Sequence, residues 1–472
     1  MIVPFLGRYG WDRDELYFLS AAKRPALGYV DFPPLVAWVG WLVHAVFGDS
    51  LVALRVTCIA LMVVADILVV LMARELGGGR GGQLLTGGVW ALSPYALGAG
   101  SIFHPTWLDL LCWVALLYLV LLALNRGRPR LWLAAGAVAG IGLEAKYTIA
   151  VLLLALFLGL MVADRRALCG LWPWLGLALA VLLFVPNLVW QAEHGWASLH
   201  FASSQNTKTA DDTPPATYLA EQLFLGIGIV VAVVGVVWLW RRRPWLRALA
   251  LVPPLVTFLF LLERGRAYYP LPADSIAVAA GGVALAGWFA TASVRRRLLV
   301  AVPLVLLEAV LLVLVAPIVL PVRGTAAMVS SGVWQDSFYK DEIGWPELVD
   351  RTASAWRSLP AAERADGAIV AGNYGEASAL EHYGPSRELP SVLSGHLTWQ
   401  IWRPAHLPQR YGLFVGFDRD TLRALCAGSR RLATIDNRWH LDNEERGRTI
   451  VACRLRLPLG ALWRSEIADS TL

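Results

Sequence analysis

The chain has 472 residues, of which 57% are hydrophobic and only 16% are charged. An ordinary soluble domain carries about 25% charged residues, so this composition excludes one and indicates a membrane protein with several spans. The net charge of +6 does not indicate nucleic-acid binding, because the arginines lie in short connections between apolar runs.

The first 50 residues carry acidic side chains ahead of every predicted span. Asp14 and Glu15 are adjacent, and Asp31 precedes Phe-Pro-Pro. Residues 35–48 are apolar but short, which predicts a helix lying along the membrane interface rather than a span. We therefore predict an outer loop over residues 1–50, with a first span upstream of it.

Ten apolar runs then predict membrane-spanning helices. They are residues 52–75, 83–102, 107–124, 131–145, 147–163, 170–189, 221–240, 246–262, 271–292 and 298–320. Arginines concentrate in every second connection, and such basic connections stay on the cytoplasmic side. We therefore predict that the loop 1–50 faces outward together with the arginine-poor connections, which are 103–106, the corner at Lys146, 190–220 and 263–270.

The stretch 131–163 tests this topology. It is long enough for one helix, but the arginine-rich connections on both sides of it require an even number of crossings. Two short spans that meet near Lys146 satisfy this requirement. The first would be only about 22 Å long, so a thinned bilayer or a broken helix is expected.

Residues 323–472 differ in composition from the rest. Short β-like runs at 368–370, 413–415 and 450–452 alternate with helical stretches at 345–358 and 419–429. This pattern predicts a small extracytoplasmic α/β domain after a transmembrane domain of residues 1–322. Cys426 and Cys453 in this domain form either a disulfide or two unrelated buried thiols.

The outer connections hold several carboxylates. Asp14 and Glu15 would point about 100° apart on a helix, so only one can face a given cleft. This acidic pair is either a catalytic base in a loop over the bundle or a solvated first helical turn. Asp31 is either a supporting residue of the site or the N-cap of the following helix. Asp109, five residues after His104, is either a further carboxylate of the site or a stabiliser of its helix start.

Cations and tyrosines occupy two other outer turns. Lys146 is either a snorkelling side chain or a ligand for an anion. Arg266 with Tyr268 and Tyr269 either binds a phosphate or anchors its turn at the interface. Carboxylates and cations beside lipid headgroups suit the transfer of a group from a lipid phosphate. The carboxylate takes the acceptor proton, and the cations stabilise the departing phosphate.

The order of several short segments resembles the GT-C glycosyltransferases of family 39 type, the superfamily of protein O-mannosyltransferases and aminoarabinose transferases. The segments are Arg13–Tyr17, Tyr29–Leu35, Phe47–Ser50, Leu54-Arg55, His104-Pro105 with Asp109, Lys146–Thr148, Pro186–Gln191, His194–Trp196, Arg266–Tyr269, Asn373–Ala377 and Ser394–His396. No single segment is decisive, but their order is specific.

The resemblance implies a GT-C fold and an inverting transfer of a sugar from a polyprenyl-phosphate donor. It places the catalytic base at Asp14, the second member of the acidic pair at Glu15 and a further carboxylate at Asp109. The expected substrate-binding residues are Asp31, His104, Lys146, Arg266, Tyr268 and Tyr269. The lysine and the arginine among them would hold the phosphate.

The sequence shows no metal-ligand cluster, so no metal ion or other cofactor is predicted. The expected partners are membrane lipid, the lipid-linked donor and an acceptor protein, lipid or glycan. The expected location is the inner membrane of a bacterium, with the active site facing outward.

Two other functions compete with this interpretation. A transporter or lipid flippase would carry charges at the membrane midplane and an internal repeat. The one conspicuous midspan charge is Asp66, and no repeat is visible. An inactive scaffold would bind a partner through its outer domain, for example through Trp399 and Trp402.

Overall fold

The computed structural model describes residues 5–212, 214–332 and 338–468. In these ranges the chain forms a bundle of apolar helices followed by a smaller part built on one β-sheet. This architecture confirms the predicted polytopic α-helical membrane protein with a small C-terminal α/β domain. The domain boundary at residues 322 and 323 stays a prediction.

Two helices precede the first long apolar helix. α1 (Arg13–Ala22) begins at a capping box formed by the side chains of Asp12 and Glu15. α2 (Leu35–Phe47) coincides with the predicted interfacial helix and has 13 residues, too few for an ordinary span. Its exposed large apolar side chains are Trp41, Leu42, Val46 and Phe47. Such a helix suits the bilayer surface.

The bundle comprises α3 to α15. These helices are α3 (Leu51–Glu75), α4 (Arg80–Ala91), α5 (Pro94–Ala99), α6 (Pro105–Asn125), α7 (Leu131–Ala145), α8 (Ile149–Ala163), α9 (Leu171–Glu193), α10 (Ala197–Asp212), α11 (Pro215–Glu221), α12 (Gly228–Trp240), α13 (Pro244–Leu262), α14 (Asp274–Thr291) and α15 (Val294–Val319). In the described part of the chain, six helices are long and apolar enough to span a membrane. They start at Leu51, Pro105, Leu171, Pro244, Leu271 and Val294. All six coincide with predicted spans.

Two other predicted spans are interrupted. The run 83–102 is divided between α4 and α5, because Ser93 caps a new helix in front of Pro94. The run 221–240 bends by 91° before α12. The second break frees a backbone N–H, and Ile227 N donates to Glu308 Oε2 at 3.2 Å. Glu308, near the middle of α15, is therefore a second midspan charge beside Asp66, and it accepts a hydrogen bond at the bend.

Residues 131–163 form two short helices, as the topology predicts. α7 ends at Ala145 and α8 begins at Ile149, while Lys146 between them is extended, with φ −162° and ψ 137°. α7 packs on α6 and α9, and α8 packs on α13. The chain thus reverses at Lys146.

Three of the arginine-rich turns meet at one end of the bundle. Arg126, after α6, pairs with Glu75 at the end of α3, with 2.6 Å between Nη2 and Oε2. The turn 76–82 and Arg242 and Arg243 line one cavity of about 1150 Å³ at this end. The acidic loop binds the other end of α3, about 30 Å away along the helix axis. This arrangement agrees with the predicted alternation of connections.

The C-terminal part is built on a five-stranded sheet. The strands are β1 (Gly367–Ala371), β2 (Val392–Ser394), β3 (Tyr411–Val415), β4 (Cys426–Thr434) and β5 (Thr449–Leu455). In the sheet order β2-β1-β3-β5-β4, β1 pairs in parallel with β2 and β3, and β5 pairs antiparallel with β3 and β4. The helices are α16 (Thr325–Ser330), α17 (Trp345–Ser358), α18 (Ala361–Ala365), α19 (Tyr374–Tyr383), α20 (Arg419–Leu425) and α21 (Leu459–Leu462).

The predicted elements of this part mostly agree with the structure. The three β-like runs lie in β1, β3 and β5, and the predicted helix 345–358 is α17. The predicted helix 419–429 is wrong at its end, because α20 stops at Leu425 and the chain continues as strand β4. Cys426 and Cys453 form a disulfide between β4 and β5, which decides between the two alternatives for these cysteines.

Candidate active site

Glu15 ties the outer loop to the bundle and is fully buried. Its two carboxylate oxygens accept four hydrogen bonds, from Arg55 Nε at 2.8 Å, Arg55 Nη2 at 2.6 Å, Phe103 N at 2.9 Å and Asp12 N at 2.9 Å. A carboxylate surrounded by these donors has no free face for a substrate. The structure therefore gives Glu15 a structural role, holding α1 against α3, rather than the catalytic role that we expected.

Asp14 neighbours Glu15 in the first turn of α1 but is accessible. Its side chain is 35% exposed. Tyr374 Oη donates a hydrogen bond to Asp14 Oδ1 at 2.7 Å, and His104 Nε2 lies 3.5 Å from Asp14 Oδ2. Of the two adjacent acids, Asp14 is thus the one that a substrate can reach, in line with their expected angular separation.

His104 caps α6 and faces Asp14 with its other ring nitrogen. Its Nδ1 accepts a hydrogen bond from Thr106 N at 3.2 Å, so in the neutral ring the proton is on Nε2, towards Asp14. Enclosure lowers the pKa of His104 to about 4; Asp14 opposes this effect, and nearby Lys146 and Arg266 add to it. The ring is therefore neutral at pH 7, although 32% of the side chain is exposed.

Asp109 lies in the first part of α6 and is 3% exposed. It accepts hydrogen bonds from Trp113 Nε1 at 2.8 Å and from Thr148 Oγ1 at 2.9 Å. Because Thr148 follows Lys146 in the turn between α7 and α8, Asp109 fixes the turn that carries the lysine. The hydrogen bond from Thr148 to Asp109 therefore helps to position Lys146.

Lys146 lies against the tyrosines of a distant turn. Its Nζ is 4.2 Å from the ring centroid of Tyr269 and 5.2 Å from that of Tyr268, both within cation–π range. Arg266 belongs to the same turn, is exposed, and is close enough to Lys146 for their charges to interact. The two predicted outer turns therefore meet and form one cationic surface.

Asp31 does not cap α2, because the N-cap position is Pro34 and no side chain caps this helix. Instead, Asp31 Oδ1 accepts hydrogen bonds from Tyr17 Oη at 2.6 Å and from Thr398 Oγ1 at 3.2 Å. Burial raises the pKa of Asp31 to about 7, although both hydrogen bonds favour the ionised form. Asp31 thus connects α1 with the C-terminal part, beside Asp14.

The structure gathers most of the predicted site at one end of the bundle. Charge interactions connect His104 with Asp14, Lys146 and Arg266, and Asp31 with Asp14. Glu15 is the exception, since it is enclosed. Among the residues that the structure describes, no group of three histidine, cysteine or acidic side chains is placed to hold a metal ion.

Tyr374 is a contact of the site that the sequence did not assign. It belongs to the segment Asn373–Ala377, which contributes to the family resemblance. The Asn-x-x-Glu spacing of Asn373 and Glu376 signals a capping box, and the structure contains it. That signal locates the start of a helix, but the contact of its first residue with Asp14 depends on the tertiary structure.

Comparisons with known proteins bear on the family and the fold of the chain. Residues 31–190 match the family of dolichyl-phosphate-mannose-protein mannosyltransferases. No curated protein matches the chain significantly. Among solved structures, ArnT from Cupriavidus metallidurans in the apo state has 18% identity and a TM-score of 0.52, covering 96% of this chain and 93% of ArnT. ArnT bound to undecaprenyl phosphate has 18% identity and a TM-score of 0.51, covering 97% of this chain and 94% of that one.

The likeness to ArnT extends over both the bundle and the C-terminal part, and it shows a shared fold. The family match covers the segment from Asp31 to Trp190, which contains His104, Asp109 and Lys146. Together, the shared fold and the family match over residues 31–190 agree with the resemblance to GT-C glycosyltransferases that the sequence motifs carry.

Proposed function

We propose that the protein transfers a sugar from a polyprenyl-phosphate donor to an acceptor hydroxyl or amine, with Asp14 as the base. The observation that carries this proposal is the position of an accessible carboxylate at the same end of the bundle as Lys146 and Arg266. The fold shared with ArnT, which has been solved with undecaprenyl phosphate, supports a lipid-phosphate donor.

The reaction needs one proton transfer and one displacement. Asp14 accepts the proton of the acceptor as its oxygen or nitrogen attacks the anomeric carbon. The bond between that carbon and the phosphate oxygen breaks, and the electron pair leaves with the polyprenyl phosphate. Lys146 and Arg266 stabilise the charge on the departing phosphate. Attack from the side opposite the phosphate inverts the anomeric carbon.

The site is proposed to face outward from a bacterial inner membrane. The arginine-rich turns lie at the other end of the bundle, and basic connections stay in the cytoplasm. The disulfide between Cys426 and Cys453 suits an oxidising compartment. The proposed partners are membrane lipid, the lipid-linked donor and an acceptor protein, lipid or glycan. The mechanism uses no metal ion or other cofactor.

The direct test is transfer by the purified protein in lipid vesicles, with radiolabelled polyprenyl-phosphate sugars and a panel of peptide, lipid and glycan acceptors. Replacing Asp14 by Asn keeps the shape of the side chain and removes the base. We expect Asp14→Asn to lower kcat at least about a hundredfold, the usual effect of losing a general base.

The matched control is Asp420→Asn, since Asp420 on α20 is 89% exposed and remote from the bundle. This variant should transfer sugar at the parental rate. Full activity of Asp14→Asn would overturn the proposal. So would a parent protein that neither hydrolyses nor transfers any of the lipid-phosphate sugars. Movement of intact lipid across the vesicle bilayer without transfer would favour a flippase.

A further inference from the structure

The two partners of Asp14 come from different parts of the chain. His104 belongs to the helical bundle, and Tyr374 is the first residue of α19 in the C-terminal part. Tyr374 makes the shorter contact, with its Oη 2.7 Å from Asp14 Oδ1. The distance from His104 Nε2 to Asp14 Oδ2 is 3.5 Å, too long for a strong hydrogen bond. The tyrosine hydroxyl is therefore the principal donor to this carboxylate.

The position of Tyr374 is well determined by its surroundings. Asn373 Oδ1 caps α19 by accepting from Glu376 N at 2.8 Å. Tyr374 N donates to His396 Nδ1 at 3.3 Å, and the ring centroids of Tyr374 and Tyr17 are 4.9 Å apart. Backbone and ring are thus held from three sides, so the hydroxyl has little freedom to leave Asp14.

The hydroxyl of Tyr374 keeps its proton. Burial and the nearby charge of Asp14 raise the pKa of Tyr374 well above its usual 10. At any pH at which the enzyme is folded and active, the phenol is therefore a donor and Asp14 the acceptor. A hydrogen bond of this type favours the ionised form of a carboxylate, which is the form that can take up a proton.

α19 is joined to α1 on both sides of this contact. Arg13 pairs with Glu445 of the C-terminal part, and a Cβ at Gly375 would lie only 2.6 Å from Arg13 Cγ. The absence of a side chain at Gly375 thus lets the arginine approach α19. At the other end of α1, Arg24 Nη1 donates to Glu381 Oε2 at 3.2 Å. These contacts hold the two helices together on both sides of Asp14.

We propose that Tyr374 is a positioning residue, which orients Asp14 through its hydrogen bond to Oδ1, so that the C-terminal part is a component of the catalytic site. This inference rests on the proposed function, since it assumes that Asp14 is the base. The hydroxyl occupies Oδ1 and leaves Oδ2, on the side of His104, for the proton of the acceptor.

The experiment compares Tyr374→Phe with the parent in the same vesicle assay, over pH 4 to 9. The substitution keeps the ring and its packing on Tyr17 but removes the donor. We expect kcat to fall about tenfold, the value of a hydrogen bond to a charged group, with an unchanged KM for the donor. We also expect the acid limb of the pH profile to move up by about one unit, because the carboxylate loses a stabilising donor.

Apart from the phenol of Tyr374, the charged and titratable groups around Asp14 are Asp12, Asp31, His104 and Asp341. These four groups are the same in both proteins, so they do not cause such a shift. The control is Tyr383→Phe at the far end of α19, whose hydroxyl has no hydrogen-bond partner among the described residues. Its rate and pH profile should equal those of the parent.

The outcomes separate this inference from the proposed function. An inactive Asp14→Asn with a Tyr374→Phe whose kcat and acid limb are unchanged would overturn the positioning role and leave Asp14 as the base. An active Asp14→Asn would overturn both. A fall in rate without movement of the acid limb would mean that Tyr374 only supports the packing of α19, which also contradicts the proposal.

Discussion

At the scale of single residues, the site distributes different tasks among chemically similar groups. Asp14 and Glu15 are neighbours, but four donors enclose Glu15 and one tyrosine contacts Asp14. Breaking a buried ion pair such as that of Glu15 and Arg55 leaves an uncompensated charge. A loss of activity in a Glu15 variant would therefore report on folding. The environment, rather than the residue type, separates the accessible acid from the enclosed one.

The first prediction concerns Lys146, which is proposed to hold the donor phosphate. Lys146→Met keeps the length of the side chain and removes its charge. We expect KM for the polyprenyl-phosphate sugar to rise about tenfold to a hundredfold, since a hydrogen bond to a charged group is lost, while KM for the acceptor stays constant. The measurement is a steady-state titration of each substrate. Lys146→Arg keeps the charge and should recover most of the affinity; equal defects in both variants would contradict the assignment.

At the scale of elements, the bundle depends on close helix contacts made by glycines. α12 and α14 cross where a Cβ at Gly235 would lie 1.8 Å from Ala277 O and a Cβ at Gly281 would lie 1.9 Å from Val231 O. Small residues at such crossings let backbones approach in a membrane, where apolar burial does not drive association. Because α14 follows the turn of Arg266, Tyr268 and Tyr269, this contact also supports the cationic side of the site.

The second prediction tests this crossing with two substitutions on the same helix. Gly281→Ala places a methyl group against the backbone of α12, so the helices must separate. We expect it to lower the free energy of unfolding by about 1–3 kcal/mol, the usual cost of overpacking. A Cβ at Gly287 has no described atom within 4 Å, so Gly287→Ala should be neutral or slightly stabilising. Thermal unfolding in detergent measures both, and equal effects would refute the close contact.

At the scale of the whole molecule, three parts of the chain meet at the candidate site. The bundle supplies His104, Lys146 and Arg266, the first loop supplies Asp14, and the C-terminal part supplies Tyr374. The arginine-rich turns and their cavity lie at the other end of α3. This separation of charge along the bundle is what orients a membrane protein during insertion.

The third prediction tests the proposed orientation through the free cysteines. Among the described residues, Cys169 is an exposed free cysteine, beside Arg165 and Arg166, whereas Cys58 and Cys112 are buried. We expect a membrane-impermeant maleimide to label Cys169 only after cells are permeabilised. As the control, Ala365→Cys introduces a thiol at an exposed position of α18, which should be labelled in intact cells. The reverse pattern of labelling would place the site in the cytoplasm.

The sequence by itself determined the apolar spans, the alternation of connections, the reversal at Lys146 and the group of outer residues, because hydrophobic length and arginine placement are local properties of the chain. It predicted three strands and α17, but extended α20 beyond Leu425, since a seven-residue helix that runs directly into a strand leaves no local stop signal. The sequence pattern does not predict the helix breaks at Ser93 and before α12, because the apolar composition continues through both.

Only the tertiary structure decided which acid is enclosed and which is accessible. Glu15 is enclosed because Arg55 and the Phe103 backbone come from elements 40 and 88 residues away. The same holds for the contact of Tyr374 with Asp14, which joins positions 360 residues apart. The burial and hydrogen bonding of a carboxylate depend on which surfaces pack together in the fold, and no local sequence pattern specifies this packing. The chemistry of each carboxylate follows from its burial and its hydrogen bonds.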